Sequence, residues 1–316
     1  MTSELRRNLE PTSGPVFGFR EDRGAVSWFH RNSARSNRHC LYCSRLVGEG
    51  SEIASDREHL IARRLVPPDS FSDPLAFNFL FRACVECNAE KAFVEEHVSA
   101  LTMIYSPGRR DEARVEEAAR RKAANSFDPR HPGKPVGQLR HRTEVNMGGI
   151  FKFGLVSGPQ LDPRKVDLLA YRQIQGFFSL ATSLDPRTTE GTRLLPGEHF
   201  GLHGFYPHQD WGNQHLVEIA ARTRSLPSIA EVVTANGYFR CAMRRAGPTQ
   251  PWFWALEWNK SLRLVGWIGE ASSPPPWFQD LPDLGWFSQG PQFRAREEIP
   301  LGDRPDLLFD PDGGWI

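Results

Sequence analysis

Cys40-Leu41-Tyr42-Cys43 and Cys84-Val85-Glu86-Cys87 form two CxxC pairs about forty residues apart. Two residues between cysteines let both thiolates reach one ion, and two such knuckles complete the tetrahedral sulfur shell that zinc prefers. A closed four-thiolate shell leaves no open position, so this Zn²⁺ would be structural, and its binding energy would help fold a segment too small for a large core. A redox CxxC or unconnected buried thiols would account for one pair but not for both. The fifth cysteine, Cys241, reads as a buried lone thiol, and an odd count in 316 residues does not describe a disulfide scaffold.

Between the pairs lies Ser55-Asp56-Arg57-Glu58-His59-Leu60-Ile61-Ala62-Arg63-Arg64-Leu65, followed by Phe77-Asn78-Phe79 and then by Cys84-Val85-Glu86-Cys87-Asn88-Ala89-Glu90-Lys91. Over about seventy residues this order resembles the zinc-knuckle branch of the HNH endonucleases, an HNN variant of the ββα-metal nucleases. The resemblance implies two antiparallel strands and a helix around a catalytic Mg²⁺ or Mn²⁺. It gives His59 the role of general base toward the attacking water, a task that suits an imidazole with a pKa near neutrality. Glu58 and Asn88 would be the protein ligands of the catalytic cation, and Asn78 would fix the loop that aims His59. Lys91 would reach a phosphate as a point charge, and Arg64, beside Arg63, would contact phosphate as well. Two departures stand out. Ala62 occupies a position where the motif usually has Pro, and Asn78 lies six residues before Cys84 where five is commoner. A slip of one residue on a strand reverses the face of a side chain, so either a bulge absorbs the shift or the middle letter of the motif is displaced.

Each residue also has a plainer reading. Asn88 could simply cap a helix, and Lys91, Arg63 and Arg64 could be solvated surface charges. His199, His203, His208 and His215 could hold a second metal but read better as scattered loop histidines. Trp252, Trp254 and Trp258 alternate along one strand face with Leu256 and could stack on bases, although such alternation is how a half-buried core strand looks.

The elements that must position these groups follow from periodicity. NAEKAFVEEHVSALTMIY, residues 88 to 105, reads as a helix with Phe93, Val94, Val98, Leu101 and Ile104 as its apolar stripe. DEARVEEAARRKAAN, 111 to 125, reads as a second, largely solvated helix. Residues 149 to 156 are strand-like, and VDLLAYRQIQGFFSLAT from Val166 reads as a helix weakened by Gly176. A further helix is expected around 215 to 235. GYFRCAMRR, WFWALEW and RLVGWIG then suggest a three-stranded antiparallel meander, and the Pro- and Trp-rich tail from Ser272 should be irregular but packed.

The fold class expected is α+β: a polar leader over 1–35 with one strand near Ala25–Phe29, an HNH module with its four-Cys zinc site over 36–107, a helical or irregular connector over 108–160, and an α+β C-terminal domain over 161–316. With 39 Lys+Arg against 38 Asp+Glu, no global basic field advertises a polyanion, so any nucleic-acid surface must be local. Six of those cations are Lys and the rest are Arg. No apolar stretch near the N-terminus or elsewhere suits a signal or a membrane span, so a cytoplasmic protein without membrane contact is expected. The function expected is a metal-dependent endonuclease acting on nucleic acid, DNA before RNA, in a restriction or antiviral defence setting. Its C-terminal domain would take a protein partner or regulatory ligand. The competing expectation is a catalytically silent zinc module that binds nucleic acid or protein.

Overall fold

A computed structural model describes residues 40–43, 45–48, 50–72, 78–127, 131, 133–147, 151–182, 195–247, 250–288 and 294–310. The strand expected near Ala25–Phe29 lies outside them.

The chain is a mixture of helices and antiparallel sheets, the α+β class expected. Strands β1 (Ser55–His59) and β2 (Leu80–Cys84) pair antiparallel from Ser55 opposite Cys84 to His59 opposite Leu80, without a break in register. Of the two alternatives for Asn78, the bulge is not found in this pairing. Asn78 precedes β2 by two residues, so strand parity does not govern its side chain.

Helix α1 (Val85–Ile104) follows β2 directly, with Cys84 at its N-cap. Val94, Val98 and Leu101 are buried, as the apolar spacing predicts. Phe93 departs from the expected stripe: a residue adjacent to Val94 sits about 100° around the helix, and Phe93 is exposed beneath the Lys165 ammonium. Helix α2 (Ala113–Asn125) packs on α1 through Val115, Ala118 and Ala119. Strands β3 (His141–Met147) and β4 (Phe151–Ser157) form a hairpin within the stretch read as a connector.

Helix α3 (Pro163–Thr182) leads to a five-stranded sheet. Its strands are β5 (Phe200–Pro207), β6 (Ser228–Thr234), β7 (Phe239–Arg245), β8 (Trp252–Trp258) and β9 (Leu262–Ile268), in spatial order β5-β9-β8-β7-β6. The three central strands are the meander read from sequence, and β5 and β6 extend it at its edges. The helix expected over 215 to 235 is shorter. Helix α4 (Gln214–Thr223) stops before Pro227, and the β-branched Val232 and Val233 pair with Cys241 and Arg240 of β7 instead.

Every residue of β8 and β9 is buried because both faces of the sheet are covered. Trp252, Trp254, Leu256 and Trp258 face a cluster that also holds Leu60, Phe79, Val98 and α3 residues Leu169 and Phe177. Phe253, Ala255, Val265 and Trp267 face α4 and the tail residues Phe278, Leu308 and Phe309. The tryptophans are therefore core, and the tail is packed, as its aromatic content suggested. One ladder of rings, Phe81, Phe79, Phe177 and Phe239, runs from β2 through α3 to β7. The segments 36–107 and 161–316 thus contribute to a single core.

Gly176 is where α3 meets the loop after β1. A Cβ there would lie 2.3 Å from Leu60 Cδ1, so any larger residue forces Leu60 to shift. Asn259, in the β8–β9 turn at φ 54°, is fully buried and donates to the Leu65 carbonyl at 2.9 Å and to Thr102 at 2.8 Å. The turn thereby locks the sheet to the loop after β1 and to α1.

Candidate functional site

The four expected thiols converge. The sulfurs of Cys40, Cys43, Cys84 and Cys87 all lie within 4.8 Å of one another. A tetrahedron with zinc–sulfur bonds of about 2.3 Å has edges of about 3.8 Å, and Cys43 and Cys84 stand 3.7 Å apart. Among the described residues this is the only grouping of its kind, so the four histidines of 199–215 do not gather a second ion. Their placement shows why: His203 stacks on Phe278, and His215 bonds the Pro282 carbonyl.

The local chain explains the convergence. The first knuckle closes on itself through the Cys40 amide and the Arg45 carbonyl at 2.9 Å. The second spans the junction between β2 and α1, which turns Cys87 back toward Cys84 within the first helical turn. Arg45, which the spacing argument did not single out, donates to Cys43 at 3.3 Å and to Cys84 at 3.1 Å and pairs with Glu86. Burial pushes the Cys43 thiol up, but the bonds from Arg45 outweigh it and hold the group at about 7. Burial pushes Cys40 up to about 11. A set of four sulfurs with a guanidinium offsetting their charge fits a structural zinc ion.

Glu58, His59 and Asn88 line one cleft of about 1010 Å³. Glu58 and His59 end β1, and Asn88 lies in the opening turns of α1. Glu58 is 5% exposed and accepts from the Tyr42 hydroxyl at 3.1 Å. Tyr42 stands between the two cysteines of the first knuckle, so the sulfur cluster and the carboxylate are joined by one side chain. Asn78 clasps the chain just past His59: its Nδ2 donates to the Ile61 carbonyl at 2.7 Å, and its Oδ1 accepts from the Ile61 amide at 3.3 Å. It does not itself line the cleft.

Lys91 departs from the expectation of a phosphate contact. Its side chain is fully buried, with Nζ 2.5 Å from Glu58 and 2.6 Å from Glu95 and donating to the His59 carbonyl at 3.0 Å. An ammonium enclosed in this way has no surface to offer a phosphate. Burial works against its charge, but the Glu95 and Glu58 carboxylates more than offset that and raise its pKa. Burial raises Glu95 to about 7 despite the opposing ammonium. Both contacts on Glu58 fall on Oε1, which leaves Oε2 as the atom a cation would take.

Arg64 is exposed and lines the cleft with Arg57 and Arg63. The opposite wall comes from α2, where Arg121 and Lys122 face the same space. Nothing in the residue pattern places the charged helix over this cleft; the burial of Val115, Ala118 and Ala119 orients it. The i, i+4 spacing of Lys91 and Glu95 was the one readable sign of the buried pair.

Among the described residues, no helix is long and apolar enough to cross a membrane. Compared with family models, curated proteins and solved structures, the chain finds no match in any of the three.

Proposed function

We propose that this chain is a metal-dependent endonuclease of the HNH type, hydrolysing phosphodiester bonds of nucleic acid, DNA before RNA. The observation that carries the reading is the shared cleft of Glu58, His59 and Asn88 beside a four-sulfur cluster. Glu58 and Asn88 would hold a divalent cation, Mg²⁺ or Mn²⁺, whose charge offsets that of the scissile phosphate. His59 accepts the proton of the attacking water as its oxygen bonds to phosphorus and the bond to the 3′ oxygen breaks, leaving 5′-phosphate and 3′-hydroxyl ends. Asn78, clasping Ile61, fixes the backbone that carries the imidazole. Cytoplasmic action in restriction or antiviral defence, with the C-terminal region receiving a partner or regulatory ligand, completes the proposal.

One observation favours a second reading. Lys91 already supplies Glu58 with a cationic partner, which suits a zinc module that binds nucleic acid or protein without cutting. Plasmid cleavage with Mg²⁺ or Mn²⁺ separates the two. The native chain cuts and His59→Ala does not, with a loss on the order of a hundredfold or more from removing a general base. If neither chain cuts with either metal while both bind DNA, the nuclease reading is wrong.

A further inference from the structure

Helix α2 presents Arg121 and Lys122 to the cleft across from Arg64. Glu58 and Glu95, the two buried carboxylates of the cleft, are spent on Lys91, so Glu96 is the acid left on the α1 wall to answer these cations. Neither Arg64 nor Arg121 has a carboxylate at ion-pair distance among the described residues.

The Lys122 ammonium turns inward to the Ser99 hydroxyl at 2.5 Å instead of extending into water. A lysine in the last turn of a helix ordinarily answers the carbonyl end of the dipole. That accounts for its position but not for its burial beside two guanidiniums. Burial lowers its pKa to about 8, Glu96 pulls the other way, and Arg64 and Arg121 lower it further. A cation held half-dehydrated among like charges is a cost to the free protein that a bound anion removes. Planar guanidiniums joined by a point charge suit the oxygens of a phosphate. Asn125 and Ser126, at the end of the same helix, add uncharged polar groups to the wall.

We infer that Arg64, Arg121 and Lys122 form a phosphate seat for the polynucleotide strand whose scissile bond faces His59. This rests on the nuclease reading, which it extends by giving α2 a part in holding substrate.

The test uses the full-length, zinc-loaded His59→Ala chain, so that the probe survives, and a fluorescein-labelled DNA duplex without added Mg²⁺ or Mn²⁺. Anisotropy is followed from about 0.05 to 0.3 M KCl. Each phosphate contact contributes about 0.9 to the salt slope, so loss of one costs roughly 5- to 10-fold in affinity near 0.1 M salt. Arg121→Gln, an exposed substitution, is expected to show that loss, and adding Lys122→Gln to roughly multiply it. Arg120→Gln removes the same charge from a residue paired with Glu117 and should stay within about twofold. If Arg121→Gln behaves like Arg120→Gln, the seat is refuted, while cleavage by the native chain would leave the nuclease reading standing. If the His59→Ala chain binds no duplex and the native chain does not cut, the nuclease reading fails. The polynucleotide role of the seat falls with it, and pyrophosphate then decides whether the three cations bind phosphate at all: a rise in melting temperature for the native chain but not for Arg121→Gln upholds a phosphate site there, and no rise in either, or an equal rise in both, refutes it.

Discussion

Lys91 shows how two side chains and one backbone carbonyl can reverse the meaning of a residue. Its ammonium is enclosed by Glu58, Glu95 and the His59 carbonyl, so it sets the geometry of the strand end instead of meeting substrate. Removing it leaves two buried carboxylates facing each other without a counterion. Lys91→Met should therefore destabilise the fold by about 3 to 5 kcal/mol, the usual result of breaking a buried pair from one side. Urea unfolding measures this, and a change below about 1 kcal/mol would mean the carboxylates are hydrated or protonated. Lys122 is perturbed in the opposite sense. Its folded pKa of about 8 lies below its ordinary value of 10.5. Between those values the unfolded chain binds more protons, so native stability rises with pH across that window, and below it the full penalty remains. Lys122→Gln abolishes the rise. Unfolding free energies of the two proteins should thus diverge from about pH 8 to pH 10 in favour of the native chain, and parallel curves would contradict the assignment. The i, i+4 partner of Lys91 was visible in the sequence. Glu58 was not, because its approach depends on β1 crossing the helix.

At the level of elements, the knuckles and α3 do the positioning. Tyr42 carries the geometry of the sulfur cluster to Glu58, and Arg172 of α3 holds the knuckle by donating to the Tyr42 carbonyl at 3.0 Å and to Glu90 at 2.6 Å. Removing zinc by chelation should loosen the knuckle, free the Tyr42 hydroxyl and abolish cleavage, with activity returning on adding zinc together with the catalytic cation. Near-ultraviolet circular dichroism and cleavage should fall together; a chelated chain that keeps both would deny the cluster a structural role. Gly176→Ala tests the other contact. Alanine favours the helix by about 1 kcal/mol, but the new methyl meets Leu60 and overpacking costs about 1 to 3 kcal/mol. The net is a loss of stability and slower cleavage, since Leu60 adjoins His59. A variant more stable than the native chain would show that Leu60 moves freely. Sequence marked Gly176 only as a weakness in the helix, since its neighbour lies more than a hundred residues away. Helices α1 and α3 and the meander were legible because apolar period and turn residues announce them; α2 was read from its charge pairs, and α4 occupies only the first half of the span read for it. Strands β5 and β6 were not, because each is defined by its pairing at the edge of the meander.

For the molecule as a whole, the sheet does not sit apart from the cleft. Trp258 donates to Gln173 of α3 at 2.8 Å, Asn259 ties the β8–β9 turn to the loop after β1, and Tyr238 donates to Glu112 beside α2 at 2.5 Å. On the far face, buried Asp210 grips Arg296 through both carboxylate oxygens and takes the Ile299 amide, which draws the tail over α4. Composition foretold a packed tail, but which acid holds it was unreadable, since Asp210 and Arg296 are distant in sequence and ordinary in type. Helix α3 joins the sheet to the cleft-bearing segment: it gives Phe177 to the ring ladder, Gly176 to Leu60 and Arg172 to the knuckle. A polypeptide severed just before Pro163 would retain each group that faces the cleft and still be crippled. Phe79 and Leu60 would open onto water, and the cleft-bearing segment could not be excised as a freestanding cassette.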